Sequence, residues 1–202
     1  MPAIEVFADV CCPFTHVGLR RLVEQRAQRA VEAPMVVRAW PLELVNASPL
    51  DGDLIATEVT AIRDQVAPDL FAGFARKAFP DSSMPALALT AAAYQVGPEV
   101  GERVALALRW ALFEEGRDVG DPQVLGAVAA EHGVGPVQPA DQEQVVRDWE
   151  EGQQRGVIGS PHFVVGTEGF FCPGLQISHQ AGTFEVRADH DSFRAFVEHA
   201  FA

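Results

Sequence analysis

The sequence predicts an α/β domain split by an all-helical insertion, and three observations carry that prediction. Strand-like alternation opens the chain at Ile4-Glu5-Val6-Phe7-Ala8 and returns at Met35–Trp40, with one helical segment between the two. From Asp53 to about Arg155 almost every periodic segment has helical spacing. Strand patterns then come back at His162–Val165 and around Gly169–Phe171, ahead of a terminal helix. Residues 1–50 and 141–202 are therefore expected to form the α/β part, and residues 51–140 the insertion. The 202 residues suit one domain that carries such an insertion.

Each element has a local reason. Ile4–Ala8 alternates apolar and polar side chains like a half-buried strand. Pro13 to Ala30 follows as a helix, because proline fits the first helical position, where its missing N–H would have had no partner. Phe14, Val17, Leu22 and Ala30 fall on its inner side, and Arg20, Arg21, Glu24 and Arg29 on its wet side. Met35–Trp40 is the second strand, ended by Pro41, and one intervening helix implies that the two strands pair in parallel. In the insertion, Asp69–Phe79 spaces Leu70, Phe71, Phe74 and Ala78 like a helix. Pro85–Val96 is an alanine-rich helix closed by Gly97-Pro98, and Glu99–Glu115 sets Val100, Val104, Leu108, Ala111 and Leu112 on one face. Pro122–His132 ends at Gly133, and Asp141–Gln154 carries Val145, Val146 and Trp149. Leu175–His179 and Thr183–Arg187 alternate about Gln180-Ala181-Gly182 and read as a hairpin. Asp191–Ala200 closes the chain, with Phe193, Phe196 and Val197 inward.

Composition narrows the function. The formal charge is −13, there is a single lysine (Lys77) and the arginines are scattered, which excludes a nucleic-acid partner and disfavours anionic membranes. No apolar run has membrane-spanning length, and Met1-Pro2-Ala3-Ile4-Glu5 enters a strand without a basic or apolar leader pattern, so a cytoplasmic location is expected. Three cysteines, two of them adjacent, make no disulfide framework and point to reactivity instead of stapling.

Cys12 stands out among them. It lies where the first strand gives way to the first helix, followed by Pro13, at the positive end of the helix dipole. Such a setting brings a thiol pKa from about 8.5 to roughly 3.5–7.5, and Cys12 is expected in that lowered range. The competing reading is a small buried hydrophobe, the ordinary role of a free cysteine. Far downstream, Gly159-Ser160-Pro161 introduces the strand His162-Phe163-Val164-Val165.

That pair of features resembles the active site of thioredoxin-fold proteins, where a Cys-Pro junction faces a cis-proline loop. The whole layout resembles the DsbA family, a thioredoxin fold interrupted by a helical domain. The nearer likeness is to its cytoplasmic FrnE-like branch, whose motif Asp-x-x-Cys-Pro-(aromatic)-Cys-x-x-Gly is matched by Asp9, Cys12, Pro13, Phe14 and Gly18. Residues 113–122 and 151–163 also resemble segments of that branch. Two departures stand against it: Thr15 replaces the second cysteine, and the hairpin over 175–187 is an extension. Kappa-class glutathione transferases and 2-hydroxychromene-2-carboxylate isomerases share this fold, place serine at the position of Cys12, and bind glutathione.

The resemblance implies a thiol–disulfide oxidoreductase that attacks a protein disulfide or small-molecule thiol substrate through Cys12. Glutathione or another low-molecular-weight thiol would be a co-substrate, with no tightly bound cofactor. It also implies a cis Pro161, whose neighbour Ser160 would offer its backbone to a bound peptide or glutathione like an added strand, next to Pro13 and Phe14. A homodimer, as related families often form, is compatible with it. Two further readings stay open: a glutathione-dependent transferase or isomerase, and a non-catalytic peptide- or ligand-binding module.

Within the first reading, the Thr15 hydroxyl would donate to the Cys12 sulfur but could not resolve a mixed disulfide. Resolution falls to an external thiol, to Cys11 or to Cys172. Adjacent cysteines form a strained ring, so Cys11 is expected to pack in the core, and Cys172 is read as structural unless the fold brings it to the site. His16 is read as a surface residue, and His162 as pointing either at Cys12 or into solvent. Cys11, Cys12, His16 and His162 match no common zinc spacing, so no metal is expected. Arg109, Trp110 and Arg117 are read as solvated charge and core aromatic instead of a cleft lining.

Overall fold

The computed structural model describes residues 3–180 and 183–202. Strand β1 (Ile4–Ala8) leads into helix α1 (Pro13–Arg29) and strand β2 (Met35–Ala39). Helices α2 (Leu42–Val45), α3 (Gly52–Gln65), α4 (Met84–Val96), α5 (Pro98–Phe113), α6 (Pro122–Glu131) and α7 (Pro139–Gln154) follow, with a 3-10 turn at Arg76–Ala78. The chain closes with β3 (His162–Val165), β4 (Glu168–Phe171), the hairpin β5 (Leu175–Gln180) and β6 (Thr183–Ala188), and α8 (His190–Ala200). Ala181 and Gly182 of the expected hairpin turn lie outside the described residues.

The main sheet runs β2-β1-β3-β4. β1 and β2 pair in parallel, Ile4 opposite Met35 and Ala8 opposite Ala39, as a single connecting helix requires. β3 runs antiparallel to β1, with Phe7 opposite His162, and β4 antiparallel to β3, with His162 opposite Phe171. One side of the sheet packs on α1 and α8 through Leu19, Leu22, Phe163, Phe196 and Val197. On another side Phe7, Trp40, Val157 and Val164 form a smaller cluster, against which Trp149 of α7 packs. Gly152 of α7 is needed there, because a Cβ would come within 2.6 Å of the Trp40 ring.

The free edge of β2 explains why the helices sit where they do. Met35, Val37 and Ala39 point their N–H groups away from β1, and among the described residues no strand receives them. Side chains of the helices do so instead. Glu102 of α5 accepts from Met35 N at 3.2 Å, the Tyr94 hydroxyl of α4 from Val37 N at 2.7 Å, and Asp148 of α7 from Ala39 N at 3.0 Å.

Two sequence-based expectations fail locally. Asp69–Phe79 is not a helix, and only Arg76–Ala78 is helical, as a 3-10 turn. Phe71 has φ of 65°, and the N–H groups of Phe71 and Ala72 bond to the Glu114 carboxylate instead of to carbonyls four residues back. Gly73 runs so close to the Glu114 carbonyl that a Cβ would lie 1.9 Å from it. The apolar spacing thus reflects an irregular segment packed on the end of α5. Ala30 is not on the inner side of α1: it is the exposed left-handed C-cap, with φ of 50°.

Candidate active site

Cys12 is the N-cap of α1, with φ and ψ of −81° and 116° and Pro13 next to it in the first turn. The antiparallel pairing of β1 with β3 continues beyond its last rung, where Asp9 N donates to Ser160 Oγ at 2.9 Å. The Ser160–Pro161 peptide is cis, and Cys12 Sγ donates to the Ser160 carbonyl at 3.1 Å. Thr15, one turn into α1, places Oγ1 2.8 Å from Ser160 Oγ. These bonds form one consistent chain. Ser160 Oγ accepts from Asp9 N and gives its proton to Thr15, which leaves the Thr15 hydroxyl free to donate to the Cys12 sulfur.

The junction and the proline loop therefore meet, but the expected acidity is absent. Cys12 is only 2 % exposed, and burial pushes its thiol pKa up. Hydrogen bonds from the Thr15 side chain and backbone pull downward without overcoming that desolvation, and the Asp9 carboxylate adds to the rise. Cys12 rests as a thiol because its proton is used by the Ser160 carbonyl in a site closed to water.

Asp9 is the hub beneath the cysteines, a role that spacing alone does not display. Its carboxylate accepts from Cys11 N at 2.8 Å, Leu42 N at 2.7 Å and Ser83 Oγ at 3.0 Å. Burial raises its pKa against those bonds. Arg109 reaches the same residue from α5. Read from sequence as solvated charge, it is instead 1 % exposed and donates to Asp9 O at 3.2 Å and Ala105 O at 2.7 Å, with Nε unpaired. Arg109 also lines a cavity of about 290 Å³ between β2, α4 and α7, together with Tyr94, Thr90, Gln144 and Asp148. Trp110 is not a core aromatic: it is exposed and Arg20 lies 5.2 Å over its ring, while Arg117 is solvated and paired with Glu115.

The remaining candidates divide. Pro13 is buried, and Phe14 packs against the hairpin at 6.0 Å from the Phe184 ring. Cys11 is buried as expected, its thiol pKa raised by desolvation and by Asp9. His16 is not a surface residue. It is buried between Phe71 and Phe113, and its Nε2 bonds Glu114 at 2.7 Å. Burial lowers its pKa, so it is a neutral donor to that carboxylate and brings no positive charge to Cys12. His162 points neither at Cys12 nor into solvent: it is buried, and Nδ1 accepts from Ile158 N at 3.4 Å. Cys172 is buried at the end of β4, and its N–H donates to the carbonyl of Pro161 at 2.9 Å. Ile158 (70 % exposed) and Phe171 (47 %) leave apolar surface beside the loop. Among the described residues no cluster of three or more His, Cys, Asp or Glu could hold a metal, and no helix is long and apolar enough to cross a membrane.

Against known families, the model of the DSBA-like thioredoxin domain matches residues 3–181. The chain belongs to that family. Solved structures agree on the fold of this DSBA-like chain. The cytosolic disulfide reductase DsbM from Pseudomonas aeruginosa with GSH is 16% identical, with a TM-score of 0.66 over 97% of each chain. A probable DsbA oxidoreductase from Streptomyces coelicolor is 17% identical, with a TM-score of 0.66 over 98% of this chain and 90% of that one. A 2-hydroxychromene-2-carboxylate isomerase is 13% identical, with a TM-score of 0.64 over 84% of this chain and 88% of that one. No curated protein matches the sequence.

Proposed function

We propose that this DSBA-like chain is a thiol–disulfide oxidoreductase whose reaction begins at Cys12, with glutathione or a similar small thiol as co-substrate. The observation that carries the proposal is the 3.1 Å contact between Cys12 Sγ and the carbonyl preceding the cis proline, at the start of α1. Family membership supports the reaction class, and the DsbM structure with GSH supports the choice of thiol.

In the resting state the thiol is stored. When an incoming disulfide segment displaces the Cys12 proton from the Ser160 carbonyl, the sulfur keeps the Thr15 hydroxyl and the helix N-terminus as stabilisers of its negative charge. The proton passes to solvent that enters with the substrate, the thiolate attacks one substrate sulfur, and the other leaves as a thiolate that takes up a proton. Ile158 and Phe171 offer apolar surface to the substrate next to that point.

The test is glutathione-coupled reduction of a small disulfide by the wild-type chain and by Cys12→Ser. A fall of roughly 100-fold or more in kcat/KM is expected, the size typical of a lost nucleophile. Unchanged turnover would remove Cys12 from the chemistry. Wild-type turnover no faster than the uncatalysed reaction would favour a second reading that the burial of Cys12 supports, a non-catalytic module that binds a peptide or small ligand at the same loop.

A further inference from the structure

Thr15 cannot clear a disulfide from Cys12, and an external thiol is one way out. A second sulfur borders the same loop. The β3–β4 register, extended one rung past His162 opposite Phe171, sets Cys172 opposite Pro161, and the bond from Cys172 N to Pro161 O at 2.9 Å fixes that pairing. Strand neighbours lie about 4.8 Å apart. Cys12 Sγ meets the residue just before this proline. Both cysteines thus border one proline, Cys12 from the start of α1 and Cys172 from the end of β4.

The backbone at Cys172 is a second, independent sign. Its φ is 44°, the left-handed region that side-chain-bearing residues adopt uncommonly and that glycine or asparagine fills at ordinary turns. A cysteine held there at an energetic disadvantage, beside a functional loop, points to a use for the sulfur. Cys11 is a poorer candidate, since its N–H is tied to Asp9 and its sulfur is adjacent in sequence to Cys12.

We infer that Cys172 is the resolving thiol of this site, forming a Cys12–Cys172 disulfide once Cys12 has been captured by a substrate disulfide. The inference rests on the proposed reaction of Cys12. With glutathione disulfide as substrate, the Cys12 thiolate forms a bond to one glutathione sulfur and expels the other as a thiolate. Cys172, after losing its proton, then attacks the Cys12 sulfur, the Cys12–glutathione bond breaks, and the second glutathione leaves. Two protein thiols are oxidised by two electrons, one glutathione disulfide is reduced to two glutathione thiols, and the two protons pass to them. Two further glutathione molecules reverse the sequence.

The two sulfurs interact electrostatically, since charge on Cys12 raises the pKa of Cys172 further above the effect of its own burial. Cys172 is therefore inert toward solvent oxidants and acts on a bond delivered next to it.

The experiment exposes the fully reduced chain to excess glutathione disulfide, quenches in acid, alkylates under denaturing conditions, and reads intact mass and the non-reduced peptide map. The wild type is expected to show a linked peptide pair containing Cys12 and Cys172, with Cys11 alone alkylated. Cys172→Ser is expected to lose the crosslink and keep a glutathione adduct on Cys12, and Cys12→Ser to show neither. A wild-type chain with a lasting adduct on Cys12 and an alkylated Cys172 would overturn the inference while leaving the chemistry of Cys12 intact. A crosslink through Cys11 would overturn it as well. A wild-type chain with neither adduct nor crosslink would end both this inference and the proposed function. The wild-type map decides the matter even if Cys172→Ser does not fold.

Discussion

At Cys12 two effects of opposite sign compete, and their balance sets how the residue behaves with pH. The helix start and the Thr15 hydroxyl favour the thiolate, while burial and the Asp9 carboxylate favour the thiol. Burial wins, so the native thiol pKa lies above its ordinary value. Alkylation of Cys12 in the native chain is expected to keep accelerating through pH 9, and Thr15→Val should move the profile to still higher pH. A rate already level near pH 7, or a profile that Thr15→Val leaves in place, would contradict this ordering. The sequence led to the expectation of a cis Pro161 facing Cys12, and the two do meet, but the pKa shift has the opposite sign to the one expected. Cys12, Pro13 and Thr15 lie within four residues and are therefore visible in the sequence, whereas the carbonyl that takes the thiol proton belongs to Ser160.

Helix α3 shows a similar competition between pattern and environment. Ile55, Val59 and Ile62 bury one of its faces, and Glu58 falls on that same face, 7 % exposed. Desolvation raises its carboxyl pKa from 4.5 to about 7. Between those pH values the folded chain holds a proton that the unfolded chain has released, so stability falls as pH rises across the window and levels off above it. The rise from 4.5 to about 7 is worth at most about 3.5 kcal/mol. Glu58→Gln is expected to remove this slope and to stabilise the chain at pH 8 by up to that amount. Urea unfolding of both proteins at pH 5 and pH 8 measures it, and equal pH dependence in the two would refute it. Helices α5 and α7 were legible to within a few residues because their apolar faces repeat over three or more turns, and α4 because its alanine-rich run ends at Gly97-Pro98. The stretch 69–79 was not, because the N–H groups of Phe71 and Ala72 are taken by Glu114, more than forty residues away.

Across the whole molecule the helical block both covers the edge of β2 and reaches beneath Cys12. Arg109 makes that second link, crossing from α5 to Asp9 in a fully buried setting. Its guanidinium donates to the Asp9 carbonyl and attracts the Asp9 carboxylate without an ion-pair contact, and leaving such buried groups unpaired costs about 1–3 kcal/mol. Arg109→Met is expected to destabilise the chain by that amount in chemical denaturation. Combining it with Asp9→Asn should recover part of the loss, with a coupling above about 1 kcal/mol. Strictly additive effects would mean that the two side chains do not act as a pair.

The sequence by itself determined the α/β order of elements, the parallel pairing of the first two strands, the helical block between the halves of the sheet, and the two loops that meet at Cys12. These follow from periodicity and from proline and glycine positions, which act over a few residues. Only the tertiary structure decided that Arg109 and His16 are interior, that Asp9 gathers three donors, that Cys172 shares a proline with Cys12, and that the thiol is protonated at rest. Each of those depends on which atoms displace water around a group, and the displacing atoms come from chain segments tens to more than a hundred residues away.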